Sequence, residues 1–140
     1  MIRAVVLALA FGMVGVPRSA VGEHEVYYRY VVLGYVKDAS GTPAAHQRVE
    51  LVRDKTGFAY RDDTDPAGFF VLVARLGDES AGEPLTLRVG PATTRLTARF
   101  SPGDHETARG TRIDVVGTRF VEHPAWFAST LARFLEAAPQ

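Results

Sequence analysis

The chain has 140 residues, a formal net charge of zero and no cysteine. This length suits one domain of ordinary size, and a hydrophobic fraction of 46% is enough for a buried core. The balanced charge gives no basic excess for nucleic acid, and the lack of cysteine excludes disulfides, thiolate catalysis and thiolate-bound metals.

Residues 1–22 have the layout of a secretory signal peptide. Arg3 comes before an apolar run over residues 4–16, and residues 20–22, Ala-Val-Gly, offer small side chains at a cleavage site. The run is shorter than the roughly 20 residues that a membrane-spanning helix needs. We therefore expect cleavage after Gly22 and an exported, periplasmic or extracellular protein whose mature chain has no transmembrane span, an uncleaved anchor being the alternative.

Seven stretches of the remaining chain have the alternating or continuous apolar pattern of β-strands. The first is rich in Val and Tyr, which suit a pleated surface, and turns containing Gly, Pro or Asp separate it and the others. The predicted strands are residues 25–38, 47–54, 58–61, 68–76, 85–89, 94–100 and 111–120. No helical pattern interrupts them, so the sequence predicts an all-β, antiparallel Greek-key sandwich of seven strands over residues 23–121.

Residues 122–140 differ, because their pattern predicts a short C-terminal amphipathic helix and tail. Pro124 suits a helix start, and Pro139 lies just beyond the predicted end. The apolar side chains near one face are Trp126, Phe127, Leu131, Phe134 and Leu135. This face could pack on its own sandwich, in a groove on a partner or on a membrane. The polar face has only Arg133 against Glu136, which favours a protein partner over lipid.

An aspartate-rich stretch at residues 61–73 raises the question of a cation site. An EF-hand loop needs a bidentate glutamate at its twelfth position, but that position is apolar whether it is counted from Asp62 or Asp63. Residues 65–68, Asp-Pro-Ala-Gly, fit a β-turn instead. The sequence therefore predicts a turn that begins a buried strand, and calcium bound in another geometry stays open as the alternative.

Two segments, GYVKDASGTPAAHQRVELV and TDPAGFFVLV, carry a family resemblance. The chain resembles the carboxypeptidase regulatory-like domain family, within the transthyretin-like (prealbumin-like) sandwiches, over about residues 31–100. The matching positions are Gly34, Val36, Asp38, Gly41, Pro43, Val49, Leu51, Thr64, Asp65, Gly68 and Phe70. The resemblance implies a transthyretin-like Greek-key sandwich and a non-catalytic module for folding support, adhesion, carbohydrate contact or docking.

The same comparison argues against two enzyme classes that share this type of sandwich. Transthyretin-like hydroxyisourate hydrolases end in a Tyr-Arg-Gly-Ser signature, which this sequence lacks. Intradiol dioxygenases need paired Tyr and His iron ligands, and the tyrosines at positions 27–35 and the scattered histidines do not reproduce that spacing.

Metal-binding and nucleophilic residues give little further signal. The histidines do not recur at metal-ligand spacing, and no nucleophile-elbow pattern surrounds a serine. Ser101, Asp104 and His105 lie close together in one polar loop, which is a poor arrangement for a catalytic triad. One metal site stays open: after cleavage, the amine of Glu23 and the ring of His24 could bind Cu(II).

The sequence as a whole favours a non-enzymatic, exported protein-interaction module, for example an accessory subunit of a periplasmic or membrane-associated complex, without a cofactor. Peripheral membrane contact stays open, and the alternative function is small-ligand binding, of a carbohydrate or of Cu(II) at Glu23 and His24. Aromatic and large apolar side chains are the usual anchors of such interfaces. The candidate partner-binding residues are Tyr27, Tyr28, Trp126, Phe127, Leu131 and Phe134.

Overall fold

The computed structural model describes residues 28–137. The predicted signal segment and the candidate residues Glu23, His24 and Tyr27 lie outside this described part. Within residues 28–137 there are eight strands and one α-helix, in chain order β1 (Arg29–Lys37), β2 (Arg48–Arg53), β3 (Phe58–Asp63), β4 (Phe69–Arg75), β5 (Pro84–Val89), β6 (Ala92–Thr97), β7 (Gly110–Val116), β8 (Arg119–Glu122) and α1 (Phe127–Ala137).

The strands form two sheets of four. Sheet I has the strand order β4-β1-β7-β8, and sheet II has the order β3-β2-β5-β6. The fold is therefore mostly β with a short C-terminal helix. One pairing differs from the all-antiparallel prediction, because β1 and β7 run parallel. Parallel neighbouring strands need a long connection between them, and here the chain from β2 to β6 forms that connection.

The main core lies between the two sheets and follows from the alternation of side chains along each strand. Burial of the apolar side chains in this core provides most of the force that holds the sheets together. The larger core residues that are fully buried are Tyr30, Phe70, Leu51, Leu72, Leu76, Leu85, Leu87, Ile113, Val32, Val49 and Val115. The Tyr30 hydroxyl is 3.4 Å from the Thr97 carbonyl oxygen, and burial raises the pKa of Tyr30 to about 12.

A second apolar cluster lies on the outer face of sheet I, under the helix. Phe127 is 5% exposed and packs with the outward-facing side chains of β1 and β4, while Leu131 and Phe134 pack partly buried against them. The sheet residues in this cluster are Val31, Leu33, Phe69 and Val71. The apolar face of α1 therefore packs on its own sandwich, which was one of the arrangements the sequence left open.

The predicted count of seven strands is wrong because the last predicted strand is a hairpin. The segment 111–120 contains all of β7 except its first residue, then a two-residue turn and the start of β8, with Val116 paired to Arg119. Gly117 begins the turn with φ +63°, a conformation that glycine adopts without strain. The predicted helix start also moves, since Pro124–Trp126 form a 3-10 turn and α1 begins at Phe127.

Candidate interaction surface

A polar and aromatic cluster lies on the outer face of sheet I, beside α1. It consists of Tyr35, Arg112, Asp114, His123 and Trp126, and we call it the Arg112 cluster. The Arg112 guanidinium donates to both Asp114 carboxylate oxygens, at 3.1 and 3.0 Å. It also lies 5.2 Å from the ring centroids of both Tyr35 and Trp126. Cation–π contact and a two-point ion pair therefore fix one arginine between two aromatic rings.

The position of Asp114 follows from the way β1 meets β7. The parallel ladder pairs Leu33 with Arg112 and Val36 with Val115, but no pair is formed at the two positions between them. There the Tyr35 N–H donates to the Asp114 carboxylate at 3.1 Å. One carboxylate thus satisfies a backbone donor of β1 and orients the side chain of Arg112.

Trp126 is held at the surface by contacts on several sides. Its ring stacks on His123 with a centroid separation of 3.9 Å and an interplanar angle of 11°. The Thr130 hydroxyl donates to the Trp126 carbonyl oxygen at 2.6 Å and accepts from Arg112 at 3.0 Å. The Trp126 side chain is nevertheless 49% exposed. The result is a pre-oriented, half-exposed aromatic ring, a feature enriched at protein interfaces.

A groove of about 360 Å³ adjoins the Arg112 cluster. Its lining combines charged, aromatic and apolar groups from the ends of β1 and β7 and from the turn before β4. The lining residues are Tyr35, Lys37, Ala67, Arg112, Asp114, Val115 and Val116. Val121 on β8, paired with Asp114, adds an apolar side chain that is 39% exposed.

Strand β8 forms an open edge of sheet I beside this cluster. The His123 N–H donates to the Arg112 carbonyl at 2.7 Å, so the alternation of an antiparallel ladder turns the backbone groups of Phe120 and Glu122 away from β7. The opposite edge, β4, is partly covered, because its Val71 N–H donates to the Asp62 carboxylate at 3.0 Å. An exposed edge of this kind can pair with a strand from another chain.

The structure separates the candidate residues that the sequence grouped together. Tyr28 is 38% exposed but precedes β1, at the end of that strand away from Tyr35. Phe127, Leu131 and Phe134 contact their own sheet, whereas Trp126 faces solvent. Tyr27, Glu23 and His24 fall outside the described residues, so the copper site has no structural counterpart to compare.

Sequence reasoning missed four members of the Arg112 cluster: Tyr35, Arg112, Asp114 and His123. Tyr35 was noted only as one of several strand tyrosines, and the charged pair follows the i, i+2 spacing of a strand face. That spacing places Arg112 and Asp114 on one face of β7, but it gives no sign that Tyr35 and Trp126 lie beside them.

The three aspartates of residues 61–73 each have a structural partner. Asp65 accepts from the N–H groups of Ala67 and Phe69, both at 2.9 Å, and Gly68 closes the turn with φ +84°. Asp62 accepts from Val71, and Asp63 pairs with Arg48 at 2.9 Å. The predicted turn is present. Within residues 28–137, no group of three or more His, Asp or Glu side chains is placed to hold a metal ion.

A second polar cluster ties the longest loop to the body of the sandwich. Arg109, whose side chain is 2% exposed, pairs with Asp78 at 2.7 Å and donates to the Asp104 carbonyl at 2.9 Å. His105 lies 2.8 Å from the other Asp78 oxygen. Desolvation raises the pKa of Asp78, but the hydrogen bonds from His105 and Arg109 outweigh it and lower that pKa overall. This cluster joins loops and stands apart from the Arg112 cluster.

The described part of the chain contains no helix long and apolar enough to cross a membrane.

Comparisons with known proteins give only distant structural matches. No family model matches the chain, and no curated protein matches it either. Similar solved structures include a type VI membrane complex (13% identity, TM-score 0.45, 69% of this chain and 98% of that one). Another is the T6SS protein TssM C-terminal domain from EAEC, with 11% identity and a TM-score of 0.45 over 69% of this chain and 98% of that one. A third is (S)-allantoin synthase, with 16% identity and a TM-score of 0.42 over 70% of this chain and 44% of that one. These values are too low to identify a family or a function for this chain.

Proposed function

We propose that the protein is a non-enzymatic, exported interaction module that binds another protein through the Arg112 cluster and the neighbouring edge of β8. In this proposal it has a transthyretin-like Greek-key sandwich and serves as an accessory subunit of an envelope-associated complex. The signal-like residues 1–22 support export. The single observation that carries the binding proposal is the half-exposed Trp126 ring, which stacks on His123 and lies beside the Arg112 guanidinium.

The composition of the surface supports a protein partner. Binding energy at protein interfaces concentrates in a few Trp, Tyr and Arg side chains that are packed and oriented before binding. Here Trp126, Tyr35 and Arg112 are adjacent, and their contacts restrict the rotamers that association would otherwise have to freeze. The open β8 edge next to them offers backbone hydrogen bonds to an extended segment.

The docked helix narrows the set of binding residues. Phe127 is covered by sheet I, and Leu131 and Phe134 are partly covered, so a partner reaches them only if α1 leaves its own domain. Trp126 and Val121 are exposed without any such change. The partner in this proposal therefore contacts Trp126, Val121 and the rest of the Arg112 cluster.

Carbohydrate binding is the second candidate, and one observation favours it. An exposed Trp ring beside an Arg–Asp pair and a groove resembles the aromatic and polar groups that hold small ligands. Because the His123 ring stacks on the Trp126 ring, less of the Trp126 surface is open to a sugar. Fluorescence of Trp126, the single tryptophan of the chain, would respond to a bound glycan.

The test is affinity capture of the tagged full-length protein from cells that naturally produce it, in mild detergent. We expect Trp126→Ala and Val121→Asp each to retain the fold and to capture at least about tenfold less of the main partner. Phe58→Asp is the matched control, because Phe58 is an exposed apolar residue on sheet II. Equal capture by all of the variants would remove the Arg112 cluster from the interface.

A further inference from the structure

A row of two cations separated by one apolar side chain crosses the open part of sheet I. Lys37 on β1 is in register with Val116 on β7, and Val116 is in register with Arg119 on β8. Side chains in register across neighbouring strands lie on the same face, and strands are about 4.8 Å apart. Lys37 and Arg119 therefore flank Val116 at a backbone separation of about 10 Å.

Neither of these two cations has an acidic partner within residues 28–137. Both side chains are exposed, and no ion pair or hydrogen bond joins Lys37 or Arg119 to a described carboxylate. Several other arginines on strand faces are paired, for example Arg61 and Arg88, which both contact Glu50. The fold does not use the charges of Lys37 and Arg119 in this way.

The carboxylates near the row are engaged elsewhere. Asp114 forms the two-point pair with Arg112, so these charges offset each other. Glu122 accepts from the Thr111 hydroxyl at 2.7 Å, on the side of β8 that faces the main core. Asp38, next to Lys37 in the chain, accepts from Ser40 and Thr42 within its own turn. The open face consequently has a local positive excess in a chain of zero formal charge.

We infer that this row binds an acidic segment of the protein partner. Carboxylates of the segment contact Lys37 and Arg119, and an apolar side chain between them rests on Val116 and Val121. The inference rests on the proposed function and names the chemistry of its partner. Complementary charge of this kind directs encounter and orientation more than it adds affinity, so binding weakens as salt is added.

The geometry favours a polypeptide over an anionic membrane. Attachment to anionic lipid normally uses clusters of four to eight basic residues or an amphipathic helix with an exposed apolar face. Here the row has only two cations, one on β1 and one on β8, and the apolar face of α1 is turned towards its own sheet. A polypeptide segment that crosses the strands at this level can contact both cations and the apolar side chains beside them.

The experiment measures binding of the full chain to defined peptides by fluorescence anisotropy. The probe is a fluorescein-labelled dodecapeptide in which Glu alternates with Val and Ser, and the matched probe has Gln in place of every Glu. We expect the Glu peptide to bind more tightly, with an affinity that falls steadily between low and physiological salt. The Lys37→Glu/Arg119→Glu variant should bind it at least about tenfold more weakly, because charge reversal replaces attraction by repulsion.

The control variant is Lys55→Glu/Arg75→Glu, which changes the net charge equally. Lys55 lies in the turn after β2, and Arg75 lies at the end of β4 farthest from Lys37. We expect this variant to bind as the wild type does. Equal weakening in both double variants, or equal binding of the Glu and Gln peptides, would overturn the inference.

Two further arms separate the possible failures. Vesicles of phosphatidylglycerol that bind the protein when the Glu peptide does not would overturn the inference in favour of a membrane surface. In the capture experiment, loss of partner in Trp126→Ala but not in Lys37→Glu/Arg119→Glu would overturn the inference and leave the proposed function standing. Absence of any partner from the wild type would remove the proposed function itself.

Discussion

Gly34 lies where β1 passes close to the backbone of β7, and its missing side chain permits the approach. A Cβ atom at this position would overlap the carbonyl oxygen of Ile113, a backbone atom that a rotamer change cannot move away. The same approach brings Asp114 to the Tyr35 N–H, so Gly34 also determines the geometry of the Arg112 cluster.

Replacing Gly34 by Ala should therefore destabilise the protein by about 3 kcal/mol or more, as overpacking against a rigid backbone does. Urea unfolding followed by circular dichroism measures the change. Gly103→Ala is the control, because a Cβ there meets nothing within 4 Å, and we expect a change within about 0.5 kcal/mol. Equal stability of the two variants would contradict the described pairing of β1 with β7.

The carboxyl group of Asp104 should make the stability of the protein depend on pH in the acidic range. Hydrogen bonds from the Thr107 hydroxyl and from the N–H groups of Thr107 and Glu106 lower the pKa of Asp104 from 3.8 to about 2. A carboxyl whose pKa is lower in the folded state stabilises that state above its unfolded pKa, and the contribution disappears as the pH falls through the folded pKa.

The Asp104→Asn variant should consequently be less stable than the wild type at neutral pH, with a difference that shrinks as the pH falls from about 4 to about 2. Urea midpoints of both proteins between pH 7 and pH 2 measure this. A difference that stays constant over the whole range would mean that the charge of Asp104 contributes nothing to the loop.

At the residue scale, the sequence predicted turns well and the Arg112 cluster poorly. Asp65 and Gly68 form the expected turn because their roles depend on local backbone geometry. The cluster joins Tyr35, Arg112 and Trp126, which are distant in the chain. Only the pairing of β1 with β7 and the return of α1 over sheet I bring these residues together.

The helix α1 is the element for which the sequence left the packing open. The sequence allowed its apolar face to pack on its own sandwich or on a partner, and in the structure Phe127 is buried against sheet I and Phe134 contacts Phe69 with ring centroids 5.7 Å apart. Removing the tail would expose the outer cluster of sheet I as well as any binding surface. Single substitutions therefore separate the structural role of the helix from a binding role more clearly than truncation does.

Phe127→Ala should lower the free energy of unfolding by about 3 kcal/mol, the usual cost of removing a buried aromatic side chain. Leu135→Ala is the matched control on the same helix, since Leu135 is 41% exposed, and should change it by less than about 0.5 kcal/mol. Thermal unfolding and hydrogen exchange of the α1 amides measure both effects. A harmless Phe127→Ala would mean that the helix does not depend on sheet I.

The turn between β7 and β8 was not predicted from the sequence. This turn is Gly117-Thr118, with no Pro, Asn or Asp to mark it, and apolar residues continue on both sides. A glycine at the first position of a two-residue loop is a recognised hairpin signal, so the boundary was available in principle. Its consequence is functional, because β8 becomes the open edge of sheet I.

At the scale of the whole molecule, the sequence predicted the all-β class and the C-terminal helix but not the sheet pairing. The alternation of apolar and polar residues shows which face of a strand is buried. It does not show which other strand lies next to it, because the pattern is the same for any neighbour. The parallel contact of β1 with β7 depends on shape and registry across the whole chain, including the close approach at Gly34. The Arg112 cluster and the Lys37–Val116–Arg119 row both follow from that pairing.

Whether this molecule works as part of a protein complex is decided by what is captured together with it. The tagged full-length protein is captured from cells that naturally produce it, in mild detergent, and the eluate is analysed by size-exclusion chromatography and mass spectrometry. We expect one protein partner that co-elutes at a fixed stoichiometry and is lost with Trp126→Ala. A monomer that elutes alone under all conditions would contradict that expectation.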